Sequence, residues 1–174
     1  MKIAVLGSGG WGTALALVLL ENGHDVTLWS YAEEESAVLR QTGENPMLKG
    51  VALPKELKLT ADLTCVKGCG AVVLATPSFA VRTTARAAAP LLDPGAVLVS
   101  VSKGIEKDTS LTLTEAIEQE VGDAHPIVAL SGPSHAEEVG RHIPTVVVTA
   151  SKDRSAAEQV QDLFMNERFR VYAT

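Results

Sequence analysis

The feature that most restricts this chain is a cluster of glycines, Gly7, Gly9, Gly10 and Gly12, within VLGSGGWGTALALVLLENG. It lies between an apolar run at 3–6 and an alanine- and leucine-rich stretch at 11–22 that Asn22-Gly23 closes. Gly7, Gly9 and Gly12 give the spacing G-x-G-x-x-G, and a predicted strand before it with a predicted helix after it is the setting in which that spacing cradles a dinucleotide. Gly7 permits a tight turn. Gly9 leaves room for a pyrophosphate against the backbone, and Gly12 lets the helix pack close on the strand. The first N–H groups of the helix and the positive end of its dipole then face the phosphates. A glycine-rich turn without a ligand is the plainer alternative; the agreement of strand, spacing and helix argues against it.

The rest of the chain repeats the alternation. Short β-rich runs at 3–6, 26–29, 71–75, 97–101, 127–130, 145–149 and 168–172 are separated by helical stretches at 11–22, 33–41, 79–88, 111–121, 134–139 and 155–164. Most of the runs are apolar throughout, the pattern of strands buried on both faces. This predicts a doubly wound α/β fold with a mostly parallel sheet and helices on both sides. Ser134 with Glu137 predicts a capping box at the start of the fifth helix. The segment 43–58, with Pro46, Gly50 and Pro54, reads as a long excursion.

Composition narrows the function. At 174 residues one domain is expected, 1–174, able to bury roughly 70% of its unfolded surface. A net charge of −6 argues against a nucleic-acid or membrane-surface binder. Cys65 and Cys69 have no histidine near them, so no metal site is expected and free thiols of a reducing compartment are. With no signal-peptide pattern and no apolar run of membrane-spanning length, a cytoplasmic location is expected.

The tip of the second strand bears on the cofactor. NAD sites carry Asp or Glu there, whereas this chain has Trp29-Ser30-Tyr31-Ala32 and its first acid is Glu33. No carboxylate repels a 2′-phosphate, but no arginine clamps one, Arg40 lying a helical turn or more away. The reading favours NADP with tolerance for NAD. Three further strand ends can carry ligand contacts. In ATPSF, Ser78 can cap a helix, and Phe79 either lies beside a flat ring or belongs to the core. In SKGIE, the Lys103 ammonium is placed to meet a hydroxyl, carbonyl or phosphate, against the plainer reading of a solvated lysine. In SGPSHAEE, Gly132 allows a close backbone approach and Ser134 opens a small anion site. His135 reads as structural or solvent-facing, and Glu33-Glu34-Glu35 as a solvated helix start.

With GSGGWGTALA, NGHDVTLW, ATPS, SKGIE, SGPSHAEEV, PTVVV and FRVY in this order, the chain resembles the bacterial NAD(P)-dependent glycerol-3-phosphate dehydrogenases over essentially its whole length. That resemblance implies a Rossmann-type domain and reversible hydride transfer between NAD(P)H and dihydroxyacetone phosphate, giving glycerol 3-phosphate for phospholipid synthesis. It implies that Gly7, Gly9, Gly10, Trp11 and Gly12 form the cofactor-phosphate turn. Tyr31 would sit at the adenosine ribose, where many members carry His or Arg, and Phe79 near the nicotinamide. Lys103 would touch both cofactor and substrate, Gly132 and Ser134 would bind glycerol 3-phosphate, and Ala136 would lie against the cofactor. Family members continue after FRVY into a helical domain holding an acid/base lysine, which is therefore expected beyond Thr174. On that pattern the expectation is an N-terminal domain without a catalytic residue of its own, which binds cofactor and turns over little substrate. The helical domain would be its partner, with room for a homodimer. Hydroxyacid and hydroxyacyl-thioester dehydrogenases share the glycine turn but lack SKGIE and SGPSHAEEV. A non-catalytic dinucleotide-sensing module is the alternative of a different class.

Overall fold

The computed structural model describes residues 1–174. Its strands are β1 (Lys2–Leu6), β2 (Asp25–Trp29), β3 (Lys58–Thr60), β4 (Ala71–Leu74), β5 (Val97–Ser100), β6 (Ile127–Ser131), β7 (Thr145–Ser151) and β8 (Phe169–Ala173). They form one sheet in the order β3-β2-β1-β4-β5-β6-β7-β8. β1 to β6 run parallel, β7 is antiparallel to β6, and β8 is parallel to β7. The helices are α1 (Gly10–Glu21), α2 (Glu33–Thr42), α3 (Val81–Ala88), α4 (Leu113–Val121), α5 (Ala136–Gly140) and α6 (Arg154–Phe164).

The period-two geometry of the strands divides their apolar side chains between two cores. Ile3, Val5, Val73 and Val99 face α1 and α6, where Leu15, Leu19, Val160 and Phe164 are buried. Ala4, Leu6, Val72 and Leu98 face α3 and α4, where Val81, Ala85, Leu113 and Ile117 complete a second, smaller core. Both faces are therefore dry in the middle of the sheet, as the continuous apolar runs predict. At the β7–β8 side the alternation returns: Thr145 and Val147 point inward, while Val146, Val148 and Tyr172 are exposed. Thr174, directly after β8, extends the ladder by one bond, its amide donating to the Thr149 carbonyl at 3.0 Å.

Several expectations need correction. β3 is an edge strand that the sequence did not announce, because Lys58–Thr60 is three residues long and half polar. Ser78 does not cap a helix; Ser78–Ala80 forms a 3₁₀ turn and α3 begins at Val81. The capping box predicted at Ser134 and Glu137 is absent. α5 starts at Ala136 behind an extended His135 with no side-chain cap, and Ser134 Oγ donates instead to the Gly132 carbonyl at 3.3 Å. A capping box does form at α4, where Thr112 accepts from the Glu115 amide and the Glu115 side chain accepts from the Thr112 amide. Glu33, Glu34 and Glu35 occupy the first turn of α2 and are exposed. Cys65 and Cys69 are free thiols. Burial pushes the Cys65 thiol up to about 11 and raises that of Cys69; neither is a reactive thiolate at neutral pH. No helix is long and apolar enough to cross a membrane.

Candidate functional site

The carboxyl ends of β1, β2, β4 and β5 open into one cleft of about 1390 Å³. The glycine turn forms its floor. Gly7 has φ +124°, and its amide donates to the Trp29 carbonyl at 3.0 Å. A Cβ on Gly7 would stand 2.7 Å from the Ala75 carbonyl, and one on Gly12 only 2.0 Å from the Gly7 oxygen. These two glycines let α1, β1 and β4 approach to contact distance. Gly9 differs. Its backbone is one any residue adopts, φ −65° and ψ 173°, and a Cβ there would meet nothing within 4 Å. The fold itself does not require Gly9; the space beside it is open to the cleft. Gly10 is a packing glycine, since a Cβ would lie 2.6 Å from the Met47 oxygen, and it brings Ala136 alongside the turn at 3.6 Å. Trp11 Nε1 donates to the Val101 carbonyl at 3.2 Å and so ties the first turn of α1 to the end of β5.

The first turn of α1 carries no acidic residue and no side-chain cap, so its free N–H groups and dipole are available to an anion. In the wall beside it, Thr76 Oγ1 is buried without a hydrogen-bond partner. Open space at Gly9, uncapped donors at α1 and this unpartnered hydroxyl fit a bound dinucleotide.

The excursion at 43–58 supplies a part of the site that the sequence reading missed. It folds over the glycine turn and is clasped there by Asn45, which is 2% exposed. Asn45 Nδ2 donates to the Ser8 carbonyl at 2.8 Å and to Thr13 Oγ1 at 2.6 Å, while its Oδ1 accepts from the Met47 amide at 2.9 Å. The Ser8 carbonyl is thereby satisfied by a side chain. Nothing in the dipeptide Asn45-Pro46 beyond its turn character signals this. Asn45→Ala leaves several buried polar groups unpaired. The expected cost is about 2 kcal/mol, or a melting temperature lower by roughly 6 °C for a domain of this size, checked by calorimetry.

Lys103 lines the same cleft, exposed just beyond β5. Its Nζ donates to the Gly132 carbonyl at 3.0 Å, so the structure joins two residues that the sequence reading selected separately. Ser134, 8% exposed, lines the same cleft. Gly132 itself is glycine for a different reason from the one expected: a Cβ would strike the β7 backbone, 2.9 Å from the Val146 oxygen and the Val147 Cα. It makes room for a strand, and its carbonyl accepts from Lys103, which lines the cleft. The Phe79 alternative is decided against the core, because its ring is 84% exposed on the cleft wall. Tyr31 is equally exposed at the β2 tip and packs edge-on against Trp29. Arg40 is engaged elsewhere, by Glu33, by Ser36 Oγ at 2.7 Å and by the Leu59 carbonyl at 3.2 Å.

Residues 2–157 match the family model described as NAD-dependent glycerol-3-phosphate dehydrogenase N-terminus. The chain belongs to this family. Among its relatives, a glycerol-3-phosphate dehydrogenase of Moorella thermoacetica, designated NAD(P)+, is 52% identical over 173 residues, covering 98% of this chain and 51% of the relative. One from Bacillus pumilus is 48% identical over 98% of this chain and 51% of the relative. The crystal structure of glycerol-3-phosphate dehydrogenase from Coxiella burnetii superposes with a TM-score of 0.93 at 35% identity, over 99% of this chain and 53% of that one. The chain thus spans about half the length of the curated glycerol-3-phosphate dehydrogenases it matches, and the doubly wound architecture predicted from the sequence is that of the same part of their fold.

Proposed function

We propose that the cleft holds a nicotinamide dinucleotide and the phosphate-bearing substrate of an sn-glycerol-3-phosphate dehydrogenase, which interconverts dihydroxyacetone phosphate and glycerol 3-phosphate. One observation carries the reading: the glycine turn and Lys103, whose ammonium is bonded to the Gly132 carbonyl, line a single cleft. The cofactor supplies the hydride. The protein's own contribution is placement and charge. Gly7, Gly9, Gly10, Trp11 and Gly12 form the turn whose amides receive the pyrophosphate, with Ala136 closing it from the side. Tyr31 lies where the adenosine ribose belongs and Phe79 where the nicotinamide does. Lys103 has two N–H groups beyond the one given to Gly132, enough to meet a substrate oxygen and a cofactor oxygen together. Ser134, beside it, adds a hydroxyl for the substrate. Proton transfer is assigned to no residue from Met1 to Thr174. It would fall to a lysine of the helical domain that the family resemblance implies.

For the cofactor, we propose that NADP and NAD are both accepted with a modest difference between them. The tip of β2 has no carboxylate of its own, which favours NADP. Against that, Glu35 lines the cleft, and Arg40 is held by Glu33 rather than free for a 2′-phosphate.

The test is a pair of titrations of the 174-residue chain. NADH and NADPH fluorescence should each saturate at one site, and dihydroxyacetone phosphate should then bind calorimetrically in the presence of NADH. Saturable dinucleotide binding with no response to the phosphate would favour a dinucleotide-sensing module; no dinucleotide binding would end both readings.

A further inference from the structure

Lys103 projects from a loop with an anchorage of its own. The backbone leaves Lys103 through Gly104 at φ +113° and then closes on itself. Ile105 bridges Thr112, the Glu106 amide donates to the Leu111 carbonyl at 2.8 Å, and the Ser110 amide donates to the Glu106 carbonyl at 3.0 Å. This closed loop is fastened to α3 at a single point. Arg82 grips Glu106 with two parallel hydrogen bonds, Nε to Oε1 at 2.6 Å and Nη2 to Oε2 at 2.7 Å. Thr109 Oγ1 adds a third bond to the same carboxylate at 2.5 Å. Arg82 is itself fixed from behind, its Nη1 donating to Glu120 of α4 at 2.8 Å, and Arg86 holds Glu120 in turn.

The two side chains of the fork are only 19% and 18% exposed. A fork between guanidinium and carboxylate fixes both distance and plane, whereas ion pairs near the surface add little to stability. Orientation is what this geometry supplies. Arg82 does not line the cleft, and its hydrogen-bonding groups are directed at carboxylates, so it is not itself a ligand group.

We propose that Arg82 and Glu106 are positioning residues for Lys103: their fork sets the loop so that the ammonium stands over the Gly132 carbonyl at the mouth of the cleft. The inference rests on the role given above to Lys103, and a mutant cycle separates the two. Dihydroxyacetone phosphate is titrated calorimetrically in the presence of saturating NADH against the wild-type chain, Glu106→Gln, Lys103→Ala and the double variant. Glu106→Gln should weaken its binding about fivefold, with NADH affinity changed less than twofold. Lys103→Ala should weaken it roughly tenfold or more. The double variant should be no weaker than Lys103→Ala alone, because residues acting through one group are not additive.

If Lys103→Ala changes nothing, the Lys103 reading fails and the positioning role with it. If Lys103→Ala weakens binding and Glu106→Gln does not, the positioning role alone is overturned. It is also overturned if the two losses multiply in the double variant, or if Glu106→Gln moves NADH and phosphate affinities equally. Should Glu106→Gln not fold, Arg82→Lys serves in its place. It keeps the charge and loses the fork, and it should show a smaller loss that again vanishes on the Lys103→Ala background.

Discussion

Gly12→Ala is expected both to loosen the fold and to abolish dinucleotide binding. The added Cβ would lie 2.0 Å from the Gly7 carbonyl oxygen, and neither partner is a flexible side chain that can swing aside. Relief requires α1 to move off β1. The cost belongs at the upper end of overpacking, about 3 kcal/mol, or a melting temperature lower by roughly 10 °C. The same movement carries the first amides of α1 away from the pyrophosphate, so the NADH dissociation constant should rise at least about a hundredfold by the loss of several charge-assisted hydrogen bonds. Gly9→Ala is the control. A Cβ on Gly9 meets nothing and strains nothing, so thermal stability should stay within about 0.5 kcal/mol of wild type while NADH binding is lost. If Gly9→Ala binds NADH normally, the space beside Gly9 is not where the pyrophosphate lies.

Lys103→Ala carries the second large effect. Lys103 is exposed and lies outside both cores, and its ammonium donates to the Gly132 carbonyl. Melting should therefore be unchanged. Hydrogen bonds to a charged group contribute about 1.5–3 kcal/mol when shielded; at this open position the lower end applies, roughly tenfold in affinity for dihydroxyacetone phosphate. NADH affinity should fall less, because the glycine turn and the walls of the cleft remain. Calorimetric titration of both ligands decides it: a loss confined to NADH would place Lys103 on the cofactor alone.

The central sheet was legible because strands buried on both faces must be apolar at every position, as 71–74 and 97–99 are. The glycine turn was legible because Gly7 and Gly12 are set by close backbone approach, a constraint that leaves a fixed spacing. The features that escaped depend on tertiary partners. β3 exists because the edge of β2 was free to pair, and its own residues are weakly strand-forming. Asn45 looks like any turn asparagine until Ser8 and Thr13 stand beside it. Gly132 drew attention as a place for a ligand to approach the backbone, but the group that approaches it is β7. Ser134 and Glu137 have capping-box spacing, yet Ser134 turns to the Gly132 carbonyl and the helix waits for Ala136. Lys103 and Gly132 were each found from their place after a strand; that they touch follows only from β5 and β6 being neighbours.

The reversal at β7 has a practical consequence. β1, β2, β4 and β5 run towards the cleft, whereas β7 and β8 run the other way, with Ser151 opposite Val128 and Ala173 opposite Thr149, itself opposite Leu130. Met1 and Lys2 lie at the pole where β1 begins, where the Asp25 amide meets the Met1 carbonyl. Met1 thus sits at the end of the sheet remote from the glycine turn, whereas Thr174, beside Thr149 and Ala150, is level with the carboxyl ends of β1, β4 and β5. An affinity tag, a fluorophore or a surface tether can be joined at Met1 without crowding the cleft, which leaves the titrations above open to immobilised formats.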